Sequence, residues 1–478
     1  MIPLTLTEVA AAAGGRLGGG ADPRAVVTGA STDSRTVAAG DLFVAVVGEH
    51  HDAHDFAAGA VASGAVAVLA VRELTVPCVV VDDTVVALGR LARAVLDRFP
   101  DAVVVGVTGS SGKTSTKDLM AAVLPAYGET LAPHGSLNTE VGLPMTVLRV
   151  EPSTRVLVAE MGARGAGHVR YLCGIARPRI GVVLNVGSAH VGEFGSRAAI
   201  ADAKGELVES LPSAAEGGVA VLNGDDPLVR PMAARTTARV VTFGESPDAD
   251  VRAEAVELDD AGRPAYDLVH GDERARVSLA LHGRHHVPNS LAVACVALSL
   301  GLDLDTVATA LTGARPASRW RMEVVRTPSG ATVVNDAYNA NPESVRAALE
   351  ALVAMARPSA AHEARRAVAV LGEMRELGEV SVREHEEIGR TAVLLGVTRL
   401  VVVGGSEPVQ ALARAAAGER PAPGAAALEV VRVAGVEEAV DHLVATLEPE
   451  DVVLVKASRG LGLERVVDGL LERTGVAS

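Results

Sequence analysis

The chain has 478 residues, of which 49% are apolar, 22% are charged and 2% are aromatic. At roughly 150 residues per domain, this length predicts two to four domains, and the apolar fraction excludes wholesale disorder. The formal net charge of −15 argues against a broad basic surface and therefore against a nucleic-acid partner. The three cysteines lie far apart in the sequence, which argues against a disulfide framework or a cysteine zinc site.

The N-terminal segment and the apolar runs indicate where in the cell the protein is located. Residues 1–15 contain Glu8 and no Lys or Arg, so they lack the basic start of a signal peptide. The apolar run 291–302 is too short to cross a bilayer, and no heptad pattern indicates a coiled coil. We therefore expect a soluble, cytoplasmic and monomeric protein without membrane insertion.

Short β-branched runs alternate with amphipathic stretches along most of the chain, a pattern typical of α/β domains with mainly parallel sheets. A helical stretch ends at Pro100, and a strand begins at residue 102. We place the first division between them. The second division falls in the segment 314–321, which is rich in Arg and small residues. The predicted domains are residues 1–99, 100–315 and 316–478.

The two later domains differ in their predicted strands. In the central domain, residues 250–281 have the pattern strand, turn, strand, which we interpret as an antiparallel flap on a mostly parallel sheet. In the C-terminal domain, helical stretches separate most of the strands, which indicates a doubly wound, Rossmann-like fold. The predicted C-terminal strands cover residues 332–334, 367–371, 400–403, 430–433 and 452–455.

A glycine-rich loop follows the first strand of the central domain. The apolar strand 103–107 leads directly into Thr108-Gly109-Ser110-Ser111-Gly112-Lys113-Thr114, and a helix with an apolar face follows. In such a P-loop the backbone N–H groups bind phosphate, the lysine reaches the β- and γ-phosphates, and the threonine hydroxyl binds Mg²⁺. Val107 stands where the first glycine of the motif would be, so an ordinary glycine-rich turn is the alternative. The pattern predicts a P-loop ATPase-type domain that binds ATP.

Two strands near the P-loop end in side chains that commonly bind metals. Glu160 ends the strand 155–159, and His190 follows the strand 180–186. Because the carboxyl ends of parallel strands meet at one edge of a sheet, both side chains would lie near the phosphates. A solvated glutamate at a strand end and a structural or surface histidine are the alternatives.

Lys204 occupies an unusual position for a charged side chain. In the helix 196–211 it points along the middle of an apolar stripe, whereas Glu206 points to the opposite, polar side. The stripe is formed by Ile200, Ala203, Leu207 and Leu211. A buried amine with a lowered pKa can add CO₂ to form a carbamate, which is an anion that can bind Mg²⁺. A lysine that snorkels to solvent is the alternative.

In this order, these segments resemble the Mur ligases, the ATP-dependent amide-forming enzymes of peptidoglycan precursor synthesis. The resemblance covers nearly the whole chain, including residues 108–114, 185–196 with His190, 203–206 with Lys204, and 286–290, where Asn289 would contact adenine. Segments 335–342 and 371–378 favour the member of the family that adds the dipeptide D-alanyl-D-alanine. The Asp-Asn-Pro-Arg signature expected of the diamino-acid-adding member is absent from the sequence.

The resemblance implies a set of catalytic and nucleotide-binding residues. The catalytic set consists of Lys113, Glu160, His190, Lys204 and Arg321. ATP would contact Gly109, Ser110, Ser111, Gly112, Lys113, Thr114, Asn289, Arg321 and Asp336. Arg321 would reach the γ-phosphate from the C-terminal domain, with Arg319 as the competing residue. Asp336 would accept hydrogen bonds from the ribose.

The metal and substrate sites follow from the same resemblance. Thr114 and Glu160 would hold one Mg²⁺, and His190 with a carbamylated Lys204, which needs CO₂, would hold a second. The N-terminal domain would bind a UDP-sugar, and its Ser34 and Arg35 have donors that suit diphosphate oxygens, although a polar turn is the alternative. The other implied substrate-binding residues are Asn138 and Thr139 at the muramoyl-peptide end, Tyr338 and Asn339, and Lys456, Ser458 and Arg459 near the incoming amine.

The implied reaction joins D-alanyl-D-alanine to the tripeptide carboxylate of UDP-MurNAc-tripeptide and converts ATP to ADP and phosphate through an acyl phosphate. Two alternatives stay open. One is another carboxylate–amine ligase of the same superfamily, such as a folylpolyglutamate synthetase. The other is a non-catalytic nucleotide-binding paralogue.

Overall fold

A computed structural model describes residues 1–48, 51–188, 191–358, 363–421 and 427–473. Its strands and helices alternate through the chain, so the predicted α/β class is confirmed. The strands of the main sheets fall within residues 16–80, 103–278 and 323–456. Within the described residues, no helix is both long and apolar enough to cross a membrane.

The N-terminal domain is built on a mostly parallel sheet with the strand order β2-β7-β6-β5-β4, in which only β2 runs antiparallel to its neighbour. Strands β1 and β3 form a separate antiparallel pair. The strands are β1 Leu4–Thr5, β2 Arg16–Gly18, β3 Val26–Val27, β4 Gly29–Ser31, β5 Asp41–Val44, β6 Ala67–Ala70 and β7 Cys78–Val80. The helices are α1 Leu6–Ala13, α2 Ala57–Ala62 and α3 Thr84–Leu96.

The central domain carries a larger sheet with the strand order β16-β15-β14-β13-β12-β11-β8-β10-β9. Strands β8–β14 are parallel, and β14, β15 and β16 pair antiparallel, so the predicted flap is confirmed. The strands are β8 Val103–Thr108, β9 Thr130–Leu131, β10 Val156–Glu160, β11 Ile180–Val183, β12 Val219–Asn223, β13 Arg239–Gly244, β14 Val251–Leu258, β15 Pro264–His270 and β16 Glu273–Ser278. The helices are α4 Lys113–Val123, α5 Gly142–Val147, α6 His168–Ala176, α7 Val191–Phe194, α8 Arg197–Glu209, α9 His286–Ser299 and α10 Leu304–Gly313.

The C-terminal sheet has the strand order β17-β18-β22-β19-β20-β21, with only β17 antiparallel. Alternate residues of its strands enter different cores: Val334 and Leu454 pack in one, and Val333 and Val453 pack in the other. Both faces of the sheet are therefore covered, as predicted for a doubly wound domain. The strands are β17 Glu323–Arg326, β18 Thr332–Asn335, β19 Ala367–Leu371, β20 Arg399–Val403, β21 Glu429–Val433 and β22 Val452–Lys456. The helices are α11 Pro342–Ala356, α12 Ser381–Leu395, α13 Glu407–Gly418, α14 Val436–Thr446 and α15 Glu464–Arg473.

The N-terminal and central domains share one continuous apolar core. Helix α3 packs against α5 and α6, and a side chain at Gly89 would come within 3.0 Å of Ile175. A glycine at this position therefore lets α3 and α6 approach closely.

The topology places the functional site at the carboxyl end of β8. After β8 the chain forms β9 and β10 on one side of it and then crosses to β11 on the other side. The loops after these strands diverge at such a switch point and leave a crevice, which is where open α/β sheets bind their ligands.

Candidate active site

The glycine-rich loop connects β8 to α4 as the sequence predicts. Gly112 caps the helix in the left-handed region, with a φ of 81°. A side chain at this position would come within 2.5 Å of the Asn289 side chain. Glycine is therefore required here both by the backbone conformation and by the close approach of α9.

Lys113 begins α4, and its Nζ donates a hydrogen bond to the carbonyl oxygen of Gly109 at 2.6 Å. Burial lowers the pKa of Lys113, and the nearby charge of Arg321 lowers it further, whereas the charge of Glu160 opposes the shift. The lysine thus lies within electrostatic reach of both predicted catalytic partners.

Glu160 ends β10 directly beside the P-loop strand, and it is 1% exposed. Its carboxylate accepts hydrogen bonds from Asn138 Nδ2 at 2.8 Å, from Ser136 Oγ at 2.9 Å and from Thr114 Oγ1 at 3.2 Å. The glutamate is not the solvated residue of the alternative interpretation. A carboxylate beside a hydroxyl group is a set of hard oxygen donors that suits Mg²⁺.

Lys204 is buried in α8, with 3% of the residue exposed, so it does not snorkel to the surface. Burial is the main cause that lowers the pKa of Lys204 well below its ordinary value, and the positive charge of Lys113 adds to the shift. Within the described residues, its amine has no hydrogen-bonding or ionic partner. This environment favours the neutral amine, which is the form that adds CO₂.

The expectation that Glu206 points to the polar side of α8 is wrong. The residue is 5% exposed, and its carboxylate accepts hydrogen bonds from the backbone N–H groups of Gly167 at 2.6 Å and Arg170 at 3.0 Å. These groups belong to the first turn of α6, where a negative charge is stabilised. Glu206 therefore ties the helix that carries Lys204 to the helix that borders the cleft.

His190 lies outside the described residues. Its role as a metal ligand stays a prediction.

Arg321 connects the C-terminal domain to the P-loop. Its Nη2 donates a hydrogen bond to Thr114 Oγ1 at 3.0 Å, and its guanidinium lies 4.1 Å from the centre of the Tyr338 ring. Arg319, the competing residue, is exposed and lies 6.0 Å from the Trp320 ring. The geometry favours Arg321 as the residue that reaches the phosphates.

Asp336 and Lys456 form an ion pair inside the cleft. Lys456 Nζ donates to Asp336 Oδ2 at 2.6 Å and to the carbonyl oxygen of Asn339 at 2.8 Å. Asp336 Oδ1 accepts a hydrogen bond from the backbone N–H of Met322 at 3.2 Å. The predicted ribose acceptor is therefore held in place by a lysine that the sequence assigned to the incoming amine.

One cleft of about 370 Å³ brings most of the predicted site residues together. From the central domain it is lined by Ser110, Ser111, Gly112, Lys113, Thr114, Asn138, Thr139, Glu160, Lys204 and Asn289. From the C-terminal domain it is lined by Arg321, Asp336, Tyr338, Asn339 and Lys456. Within the part of the chain that the structure describes, the cleft is not lined by five other predicted site residues: Ser34, Arg35, Gly109, Ser458 and Arg459.

The predicted residues outside the cleft have other contacts. Arg35 is largely exposed and pairs with Asp33 at 2.7 Å. Ser458 is buried, and its Oγ accepts from the backbone N–H of Arg375 at 2.9 Å. Arg459 pairs with Glu464 at 2.7 Å.

Three comparisons with known proteins bear on this site. Family models match residues 26–95 (Mur ligase family, catalytic domain), 107–297 (Mur ligase middle domain) and 320–459 (Mur ligase, glutamate ligase domain). The chain is 45% identical to a UDP-N-acetylmuramoyl-tripeptide–D-alanyl-D-alanine ligase of Mycobacterium bovis, over 98% of each chain. The chain belongs to the Mur ligase family. The ligase of the same name from Escherichia coli is 34% identical over 99% of each chain.

Solved structures of Mur ligases share this three-domain architecture. A crystal structure of MurF from Acinetobacter baumannii superposes with a TM-score of 0.86 and 31% identity, covering 98% of this chain and 99% of the other. MurF from Thermotoga maritima, solved in complex with ADP, superposes with a TM-score of 0.79 and 31% identity, covering 93% and 97% of the two chains. The predicted family and architecture are therefore confirmed.

The sequence did not single out Asn185 of this Mur ligase as a site residue. Its Oδ1 accepts hydrogen bonds from the backbone N–H groups of Ser110 at 3.0 Å and Ser111 at 2.9 Å. Asn185 follows β11, the strand beside β8. This position could have identified it, because a polar residue after β11 faces the loop that follows β8. Asn341 also contacts the loop, since its Nδ2 donates to the carbonyl oxygen of Ser110 at 3.3 Å. Asn341 is also the N-cap of α11, where its side chain accepts a hydrogen bond from the backbone N–H of Ser344.

Proposed function

We propose that this chain joins D-alanyl-D-alanine to the tripeptide carboxylate of UDP-MurNAc-tripeptide, with conversion of ATP to ADP and phosphate. The observation that carries the proposal is full-length similarity, at 45% identity, to curated ligases that bear the name of this reaction. The P-loop cleft, which residues of two domains line, supports it. The ADP complex of the Thermotoga maritima relative supports nucleotide binding.

The chemistry needs an activated acid, because a carboxylate is anionic and has a poor leaving group. A carboxylate oxygen attacks the γ-phosphorus, the bond from that phosphorus to the β–γ bridging oxygen breaks, and ADP leaves. The amine of the dipeptide then attacks the acyl carbon, phosphate leaves, and the amine loses a proton as the amide forms. Catalysis of such a transfer depends mainly on positioning and on the stabilisation of charge.

Lys113 and Arg321 would neutralise charge on the transferred phosphoryl group. Both cations are held in the cleft, Lys113 by the Gly109 carbonyl and Arg321 by Thr114 and the Tyr338 ring. Thr114 and Glu160 are the oxygen donors that fit one Mg²⁺. When bound, this ion would offset negative charge on the phosphates.

A second metal site would lie beside the P-loop. We infer that Lys204 is carbamylated and that it holds a second Mg²⁺ together with His190. Support comes from the burial of Lys204, from its lowered pKa and from the absence of a partner for its amine among the described residues.

The proposed substrate-binding residues are distributed over the three domains. Asn289 would contact adenine and Asp336 the ribose, while Asn138 and Thr139 would line the muramoyl-peptide end. Ser34 and Arg35 of the N-terminal domain would bind the diphosphate of the UDP-sugar. The residues proposed near the incoming amine are Tyr338, Asn339, Lys456, Ser458 and Arg459. Since Lys456 pairs with Asp336, it would also link the ribose site to the amine site.

We further propose the domain limits 1–99, 100–315 and 316–478, and a monomer that acts in the cytoplasm. The main sheets and the matched family segments fall inside these limits.

A substrate panel tests the proposed function. Phosphate release is measured with UDP-MurNAc-tripeptide and D-alanyl-D-alanine together, with each alone, and with a folate plus glutamate. Strong release only with the first pair supports the proposal, and a new peptide bond in the product completes it. Release with folate and glutamate would favour a folylpolyglutamate synthetase, and no release with any pair would favour a non-catalytic paralogue.

A further inference from the structure

The segment that joins the central and C-terminal domains contacts the P-loop helix at two points. The backbone N–H of Ser318 donates a hydrogen bond to Asp118 Oδ2 at 3.1 Å, and Arg321 donates to Thr114 Oγ1 at 3.0 Å. Thr114 and Asp118 are four residues apart in α4 and so lie on one face of the helix. The linker therefore runs along α4 and is fastened to it one helical turn apart.

The backbone around Arg321 has an unusual conformation. Trp320 and Met322, the residues on either side, have positive φ angles of 59° and 49°. Residues other than glycine adopt this region at a cost in free energy, and they remain there only where the surrounding contacts enforce it. The direction of the Arg321 side chain thus depends on the contacts that hold the linker.

The C-terminal domain supplies the contacts on one side of this linker. The N–H of Met322 donates to Asp336 at 3.2 Å, and the Arg459 guanidinium lies 4.2 Å from the centre of the Trp320 ring. Asp118 supplies the contact on the other side, and it belongs to the central domain. It is thus placed to set the position of the linker relative to the P-loop.

A buried cation fixes the orientation of Asp118. The carboxylate, whose side chain is 11% exposed, pairs through Oδ1 with Lys117. Lys117 is itself 2% exposed and also donates to the carbonyl oxygen of Pro133 at 2.9 Å. With Oδ1 held by the lysine, Oδ2 is directed at the Ser318 N–H. Asp118 is not among the described residues that line the cleft, and through Ser318 it contacts the linker that carries Arg321.

We propose that Asp118 is a positioning residue of the ligation reaction, which holds the interdomain linker so that Arg321 meets the transferred phosphoryl group. The inference rests on the proposed function, in which Arg321 stabilises that charge. The residue contributes no chemistry of its own. Its effect on the rate should therefore be present only when Arg321 is present.

A double-mutant cycle tests this dependence. Asp118→Ala, Arg321→Ala and the double variant are compared with the wild type by phosphate release with both cell-wall substrates and ATP. The loss of one hydrogen bond to a charged group corresponds to about a tenfold lower kcat for Asp118→Ala. In the Arg321→Ala background, we expect Asp118→Ala to change kcat by less than about twofold.

Two further variants separate positioning from general stability. Asp118→Asn keeps one side-chain oxygen, which the buried Lys117 ammonium attracts, so the amide NH2 group faces the Ser318 N–H; we expect kcat to fall as in Asp118→Ala, with a smaller loss of Tm. Asp303→Ala, the matched control, removes a carboxylate that caps α10 of the same domain and should lower Tm without changing kcat. The single tryptophan of the chain, Trp320, reports the linker directly, so its fluorescence should change in Asp118→Ala and not in Asp303→Ala.

The outcomes distinguish this inference from the proposed function. An equal loss of kcat in both backgrounds, or no loss for Asp118→Ala, overturns the positioning role. An inactive wild type overturns the proposed function instead. If Asp118→Ala does not fold, Ser318→Pro removes the same hydrogen bond from the linker side, keeps the Asp118–Lys117 pair and carries the same expectations.

Discussion

Replacement of Lys204 by Met should stabilise the protein and inactivate it at the same time. The side chain is buried, and its amine has no partner among the described residues. Methionine fills a similar volume without a polar group, so the variant avoids the cost of desolvating the amine of the unmodified lysine, about 1–3 kcal/mol. For a domain of 150–250 residues, this gain corresponds to an increase in Tm of about 2–12 °C.

The activity of the same variant should fall. Methionine cannot add CO₂, and the removal of one charge-stabilising group costs on the order of 10² in turnover. Phosphate release with both substrates measures the loss, and differential scanning calorimetry measures Tm. Bicarbonate should raise the activity of CO₂-depleted wild type and leave that of Lys204→Met unchanged.

Lys117→Met is the matched control for stability. Lys117 is as buried as Lys204, but it pairs with Asp118 and with the Pro133 carbonyl. Its replacement leaves the Asp118 carboxylate without its cation and the Pro133 carbonyl without its donor, and should lower Tm. A lower Tm for Lys204→Met, or turnover near the wild-type rate, would refute the assignment of Lys204 as a desolvated lysine whose carbamate is needed for catalysis.

Three other predictions follow from the contacts around the cleft. Asn185→Ala removes the side-chain hydrogen bonds to the Ser110 and Ser111 N–H groups and to the Ser111 carbonyl oxygen, together about 1.5–4.5 kcal/mol. The Kd for ATP should therefore rise more than about tenfold in a titration; an unchanged Kd contradicts a role of Asn185 in holding the P-loop. Burial lowers the pKa of His285 to about 4, so between pH 6.5 and 4 the unfolded chain binds more protons and the folded protein loses about 3 kcal/mol as the pH falls. His285→Gln should reduce this dependence in urea unfolding. Gly192→Ala places a methyl group 2.6 Å from the Gly378 backbone, so it should disturb the contact between the central and C-terminal domains and lower kcat. Gly174→Ala is the control: its methyl group would meet no atom within 4 Å, so kcat should not change.

Much of the fold and part of the site could be predicted from local patterns. The apolar runs identified the parallel strands, because a strand that is buried on both faces must be apolar along its length. The P-loop followed from glycine, lysine and threonine at fixed spacing between a strand and a helix. The burial of Lys204 followed from the apolar stripe of α8, since the period of a helix fixes which residues share a face.

The same periodicity failed for Glu206. On the helical pattern its carboxylate belongs to the polar side of α8, but the first turn of α6 lies against that side and binds it. A helical pattern separates apolar from polar faces, but it does not say what another helix brings to the polar face.

The sequence by itself determined the elements, the P-loop and the types of residue that the chemistry requires. Only the tertiary structure decided which distant side chains meet: Arg321 contacts Thr114 across 207 residues, Lys456 contacts Asp336 across 120, and Ser318 contacts Asp118 across 200. The physical reason is that local patterns reflect the burial of each element, whereas these contacts depend on how separate sheets and domains pack.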